Sequence, residues 1–213
     1  MKRLLIIALV YGTFAAVAVA QQPAGASPQD PHAGHTKPVT SSAQSPSAAQ
    51  KYFTDVNLVD QDGRTLRFYS DLLKGKTVIA NAFFTTCNGV CPPMNRNLEM
   101  LQNALGDRLG RDVFIVSITV DPVTDTPERL KEYAKRFHAK TGWTFVTGQK
   151  EHVERALYKL GSYVANKDDH TTIIIIGNEG TGLWKKAFGL AKADELLKLV
   201  YEVANDKGAP AAR

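Results

Sequence analysis

The chain has 213 residues, 44% of them hydrophobic and 22% charged, with a formal net charge of +5. That is enough apolar material for one ordinary core and too little chain for two generous domains, and it excludes a wholly disordered protein. Lys2 and Arg3 supply part of the positive balance and the remaining charges are interspersed, so the surface reads as solvated and no nucleic-acid partner is expected.

Met1-Lys2-Arg3 precedes an apolar stretch from Leu4 to Ala20 that ends in Ala18-Val19-Ala20 before polar Gln21. A positive start, an apolar centre and small residues at the exit form the pattern of a signal peptide over 1–20, so the body is expected to be exported, periplasmic or equivalent. The competing reading is an uncleaved anchor that tethers the body to a membrane, because the run approaches the ~18 residues at which a span is suspected. Residues 21–50 carry five of the ten prolines and no aromatic residue, Leu or Ile. Such a segment cannot bury enough apolar surface to offset its ordering entropy, and a disordered tether is expected. Within it His32-Ala33-Gly34-His35 sets two imidazoles at a spacing that can help capture a metal ion. No further ligand is fixed nearby, so a solvated pair is the preferred reading.

From Lys51 the pattern becomes that of an α/β domain. "YFTDVNLVDQDGRTLRFYS" alternates apolar and polar residues around Asp62-Gly63, which predicts two short strands and a turn. "KTVIANAFF" is a continuous β-branched and aromatic run, the mark of a strand covered on both faces. A helix is expected from about Pro92 to Leu105, with proline in its first turn. "DVFIVSITV" predicts a second buried strand, and "TPERLKEYAKRFH" a helix with Thr126 as N-cap and Pro127 at its first position. The second half repeats the rhythm: "WTFVTG" as strand, "QKEHVERALYKLG" as helix ended by Gly161, "TTIIIIG" and "LWKKAFG" as a hairpin, and "KADELLKLVYEVAND" as the closing helix. This order is thioredoxin-like: a central mixed β-sheet flanked by helices, with an N-terminal β-hairpin extension. The domain is expected over 51–206, with a flexible tail at 207–213.

The only two cysteines, Cys87 and Cys91, fall in the turn between the first buried strand and the helix after it. Cys91 therefore lies at a helix N-terminus, where backbone N–H groups and the helix dipole favour a thiolate. A thiolate serves a redox nucleophile and a soft metal ligand equally. A structural disulfide is the bland alternative in an exported chain, but closing so small a loop restrains little of the unfolded state. Redox couples of this fold normally separate their cysteines by two residues; here three intervene, Asn88, Gly89 and Val90. The wider loop can spread two sulfurs around one Cu(I) or Zn(II) ion, and His170, just before "TTIIIIG", is the candidate third ligand, although on periodicity alone a histidine there is more often a loop residue capping a strand.

"FFTTCNGVCPPM", "VSITVDPVTDTPERLKEYAKRF" and "DDHTTIIIIGNEG" together resemble the Sco/SenC family of copper-binding, thioredoxin-like proteins over about residues 51–206. The shared features are C-x-x-x-C-P at Cys87, Cys91 and Pro92, a D-H-T at Asp169, His170 and Thr171, and V-D-P at Val120, Asp121 and Pro122. The resemblance implies a Cu(I) or Cu(II) site formed by Cys87, Cys91 and His170. It also implies delivery of that copper to the dinuclear centre of a cytochrome c oxidase subunit, with thiol-disulfide exchange by Cys87 and Cys91, served by thioredoxin-like reductants, as the alternative activity. The chain departs from the family pattern in three places. "GSYVANKDD" lacks a tyrosine-rich loop, Asn88-Gly89 replaces a Pro-acidic pair, and a cleavable signal replaces the usual anchor. Asp121 is a weak further candidate for orienting a partner; Met94 offers a thioether but is expected in the core. His138 and His152 are expected at the surface, and Trp143 and Trp184 in core or rim packing.

Overall fold

The computed structural model describes residues 47–208. The expected signal peptide, the histidine pair at 32 and 35, most of the tether and the end of the tail lie outside them. The first helix, α1 (Ala48–Phe53), takes up the last residues of the expected tether, so ordered chain begins before Lys51. The reason is local: Ser47 Oγ accepts from Gln50 N, two alanines follow, and Phe53 gives the turn an anchor in the core.

Two short strands, β1 (Asn57–Asp60) and β2 (Thr65–Arg67), form the expected hairpin. Its turn is held by buried Asp60, whose carboxylate accepts from Asp62 N, Arg64 N and Arg64 Nε. After one π-helical turn over Phe68–Leu73 come β3 (Thr77–Phe83), α2 (Cys91–Leu105), β4 (Val113–Thr119), α3 (Pro127–Arg136), β5 (Trp143–Thr147), α4 (Lys150–Leu160), β6 (Ile173–Asn178), β7 (Leu183–Phe188) and α5 (Ala193–Ala204). The strands form one seven-stranded mixed sheet in the order β2-β1-β5-β4-β3-β6-β7. The hairpin is joined to it edge on, through β1 antiparallel to β5. Among the described residues no helix is long and apolar enough to cross a membrane.

Both faces of the sheet are covered, which is why β3 is buried along its whole length. Ile79 and Phe83 point to the layer of α2, α3 and α5, while Val78, Ala80 and Ala82 point to that of α1 and α4. On α2, Cys91, Met94, Leu98, Leu101 and Leu105 recur at three- and four-residue steps and form its buried stripe. The one polar side chain in the middle of β3, Asn81, is satisfied rather than orphaned: it accepts from Ser117 Oγ, which in turn accepts from Trp143 Nε1.

The strand directions explain the meeting of residues far apart in sequence. β3 runs parallel to β4 but antiparallel to β6, with Asn81 opposite Ile174. The end of β3, the end of β4 and the start of β6 therefore lie together at one edge of the sheet, where α/β folds place their sites.

Candidate metal centre

The turn after β3 carries Cys87, 7% exposed, and delivers Cys91, fully buried, as the first residue of α2. Both are free thiols. Because β6 starts at the same edge, the segment before it brings in His170: its Nε2 lies 3.1 Å from Cys91 Sγ and 3.9 Å from Cys87 Sγ. All three donor atoms lie within 4.8 Å of one another. One ion with bonds of about 2.0–2.3 Å can reach all three after small side-chain adjustments.

The imidazole is aimed by its own loop. Lys167 O accepts a 2.8 Å hydrogen bond from His170 Nδ1, which fixes the tautomer and leaves the Nε2 lone pair facing the sulfurs. Phe84 packs edge-on against the ring at 5.1 Å. The loop is tied down from the other side, where Lys167 Nζ donates to Asp121 Oδ2 at 2.7 Å. Burial would push the Asp121 carboxyl up, but the Lys167 ammonium and the hydrogen bond from Thr124 outweigh it and hold the group below the usual carboxylate range.

The cysteine turn has its own clamp, Asp125. This fully buried carboxylate accepts from Thr85 N at 3.0 Å and from Thr85 Oγ1 and Thr119 Oγ1 at 2.5 Å, joining the ends of β3 and β4. Sequence reasoning missed it. The only local sign was an acid directly before the Thr126-Pro127 helix start, a position that also suits ordinary turn chemistry.

One electrostatic expectation is overturned. The helix N-terminus does not make Cys91 acidic in the metal-free protein: burial, and then the hydrogen bond with Cys87, push its thiol well above the ordinary range. A helix terminus contributes at most about 2 kcal/mol, whereas full burial shifts a group by up to ~3–5 pKa units. Tyr133, buried nearby, is raised as well, by burial and then by the Cys91 charge. Folded pKa values above the unfolded ones give stability that is complete below the unfolded pKa and is lost as pH rises past it. Stability of the reduced, metal-free protein should therefore fall above about pH 8.5, with a further decline above about pH 10 where tyrosine titrates. Urea midpoints between about pH 7 and 11 measure both phases, and an unchanged first phase in Cys91→Ala would sink the assignment to Cys91.

Residues 44–203 match the SCO1/SenC family model. This chain belongs to the SCO1/SenC family. It is 35% identical over 118 residues to the SCO1 protein homolog of Bacillus subtilis, covering 54% of this chain and 60% of the relative. It is 31% identical over 112 residues, 53% of each chain, to a protein of Stutzerimonas stutzeri whose name proposes copper binding. The chain thus spans between half and three-fifths of the length of these curated relatives. Among solved structures it resembles BsSco, described as a member of the Sco family of cytochrome c oxidase assembly proteins with a disulfide switch. That likeness has a TM-score of 0.60 and 28% identity, and covers 73% of this chain and 94% of that one.

The other candidates of this SCO1/SenC chain fall elsewhere. Met94 is fully buried against Gly189, where an added Cβ would lie 3.0 Å from the methionine sulfur. His138 pairs with Glu99 at 2.7 Å, and His152 Nδ1 bonds to Asn57 O at 3.0 Å; neither is in the donor group. Trp143 is core, and Trp184 is half-buried on β7.

Proposed function

We propose that this protein is an exported copper carrier that binds copper through Cys87, Cys91 and His170 and passes it to the dinuclear copper centre of a cytochrome c oxidase subunit. The observation that carries the reading is the meeting of two sulfurs and one correctly tautomerised imidazole nitrogen. Two soft sulfurs suit Cu(I) or Zn(II), but structural zinc takes four ligands, so a three-donor group favours low-coordinate Cu(I). The relative whose name proposes copper binding, and the description of BsSco as an oxidase assembly factor, support the metal and the recipient.

The site opens through a depression of about 350 Å³ lined by Phe84, Thr86, Asn88, Val90 and Asp168. An incoming thiolate enters by the Cys87 side, since Cys91 has no exposed surface. A low-coordinate ion accepts the new ligand before it releases an old one, and transfer needs no free copper. Mixing the copper-loaded protein with the soluble copper-accepting domain of an oxidase subunit tests this: copper should move to the acceptor. Thiol-disulfide exchange with that domain, without copper movement, would replace the carrier reading.

That second reading, a thiol-disulfide oxidoreductase, rests on the asymmetry of the pair. Cys87 at the mouth attacks a partner disulfide; Cys91 then loses its proton and displaces the partner, so the dithiol gives up two electrons and becomes a disulfide. His170 Nε2, 3.1 Å from Cys91 Sγ, is placed to take that proton. The histidine thus has a place in both activities, as a ligand in one and as a proton acceptor in the other. In either case the protein with a Cys87–Cys91 disulfide should bind no copper at the tight site until a thiol or a thioredoxin-like reductant restores it. Stoichiometric tight binding by fully oxidised protein would place the copper elsewhere, with His32 and His35 the first residues to test.

A further inference from the structure

On the sheet face away from α2 lies a second concavity, of about 490 Å³, between α1, α4 and β7. It shares no residue with the cysteine-histidine group. Its floor is apolar: Phe53, Leu160, Ile175 and Trp184. The indole is held flat across the sheet because its cross-strand partner is Gly177, where a Cβ would fall 2.1 Å from Trp184 Cε3. Phe53 meets it at a ring-centroid distance of 5.1 Å. Three aromatic residues thus line the cavity: Tyr52 is exposed, Trp184 is half-buried, and Phe53, like Leu160 and Ile175, is buried beneath them.

The rim has the opposite character. Lys159, Lys185 and Lys186 line the same cavity. Lys185 is paired with Glu202. Lys186 Nζ has only the Gly161 carbonyl, at 3.5 Å, and Lys159 Nζ rests over the Tyr52 ring at 4.6 Å. Basic rims are ordinary on a basic protein. The combination of two ammonium groups facing no carboxylate among the described residues with an aromatic floor is a more specific pattern. The volume lies within the ~300–1,000 Å³ usual for small-molecule sites.

We infer that this cavity binds a free, single-chain amphipathic anion, such as a medium-chain carboxylate. The chain lies over Trp184, the most accessible of the floor residues, and the head group is held by Lys159 and Lys186. The space suits one chain rather than the two of a phospholipid, which favours a free monomer over a bilayer surface.

Isothermal titration of the mature full-length protein with decanoate below its micelle concentration tests the site. One decanoate should bind per chain, with a change in tryptophan emission from Trp184. The Lys159→Gln/Lys186→Gln double variant, whose substitutions lie at the rim and leave the core intact, should lose at least about tenfold in affinity, a step of ~1.4 kcal/mol. Acetate, which has the head without the chain, and decyltrimethylammonium, which has the chain with a cationic head, should not bind. Equal binding of the cationic and anionic chains, unchanged affinity in the double variant, or binding only to phosphatidylglycerol vesicles would each overturn the proposal. Copper binding should be the same in the variant, which keeps this test separate from the metal reading.

Discussion

His170→Ala is expected to weaken Cu(I) binding by more than about a hundredfold, because loss of an outer-shell partner alone commonly costs ~10–100-fold and this residue is proposed as a ligand. Competition of the reduced protein against a chromophoric Cu(I) chelator measures it. The fold should survive, since the histidine is only half-buried and its contacts are the Phe84 ring, the Lys167 carbonyl and the two cysteine sulfurs. Stoichiometry should stay at one copper through Cys87 and Cys91, with the weakened complex losing its ion to the chelator. Equal affinity in the two proteins would remove His170 from the site and leave it as the base of a dithiol exchange.

Asp125→Ala is expected to lower the unfolding free energy by about 3 kcal/mol, because the buried Thr119 hydroxyl and two donors of half-buried Thr85 lose a charged acceptor at once. The same change frees the turn two residues before Cys87, so copper affinity should fall even though no ligand is altered. Asp125→Asn keeps the shape and one accepting oxygen and should lie between the two. Urea denaturation together with the chelator competition reads both effects. A loss of stability below about 0.5 kcal/mol, the ordinary range for an uninvolved surface change, would show that the clamp is not holding the strand ends.

Much of this architecture was legible in one dimension, because it depends on local periodicity and on residues with few conformational options. The unbroken apolar run at Thr77–Phe83 and the Thr126-Pro127 helix start were readable in this way, as was Gly161, which closes α4 in the left-handed conformation at φ 70°. The candidate donors were readable too: Cys87 and Cys91 are the only cysteines, and His170 sits just before a strand whose place in this fold is set by topology.

Tertiary structure decided the rest, since it concerns which groups are desolvated and by what. Sequence placed Cys91 at a helix N-terminus and so pointed to a thiolate; only the packing of α2 on the sheet revealed that burial overrides the dipole. Asp125 was not singled out by the sequence and gained its role only because two strand ends converge on its carboxylate, and Lys167 gained one only when Asp121 met it from a loop 46 residues away. Ser47-Ala48-Ala49-Gln50 read as the end of a polar tether; it is helical because Phe53 found Phe68, Tyr69 and Trp184 to pack against. Residue type and spacing by themselves singled out the two cysteines as candidate donors, and the expected fold order with the family resemblance added His170, because that chemistry belongs to the side chains. Their protonation, aim and support required the fold, because those depend on distance and burial between segments that the sequence keeps far apart.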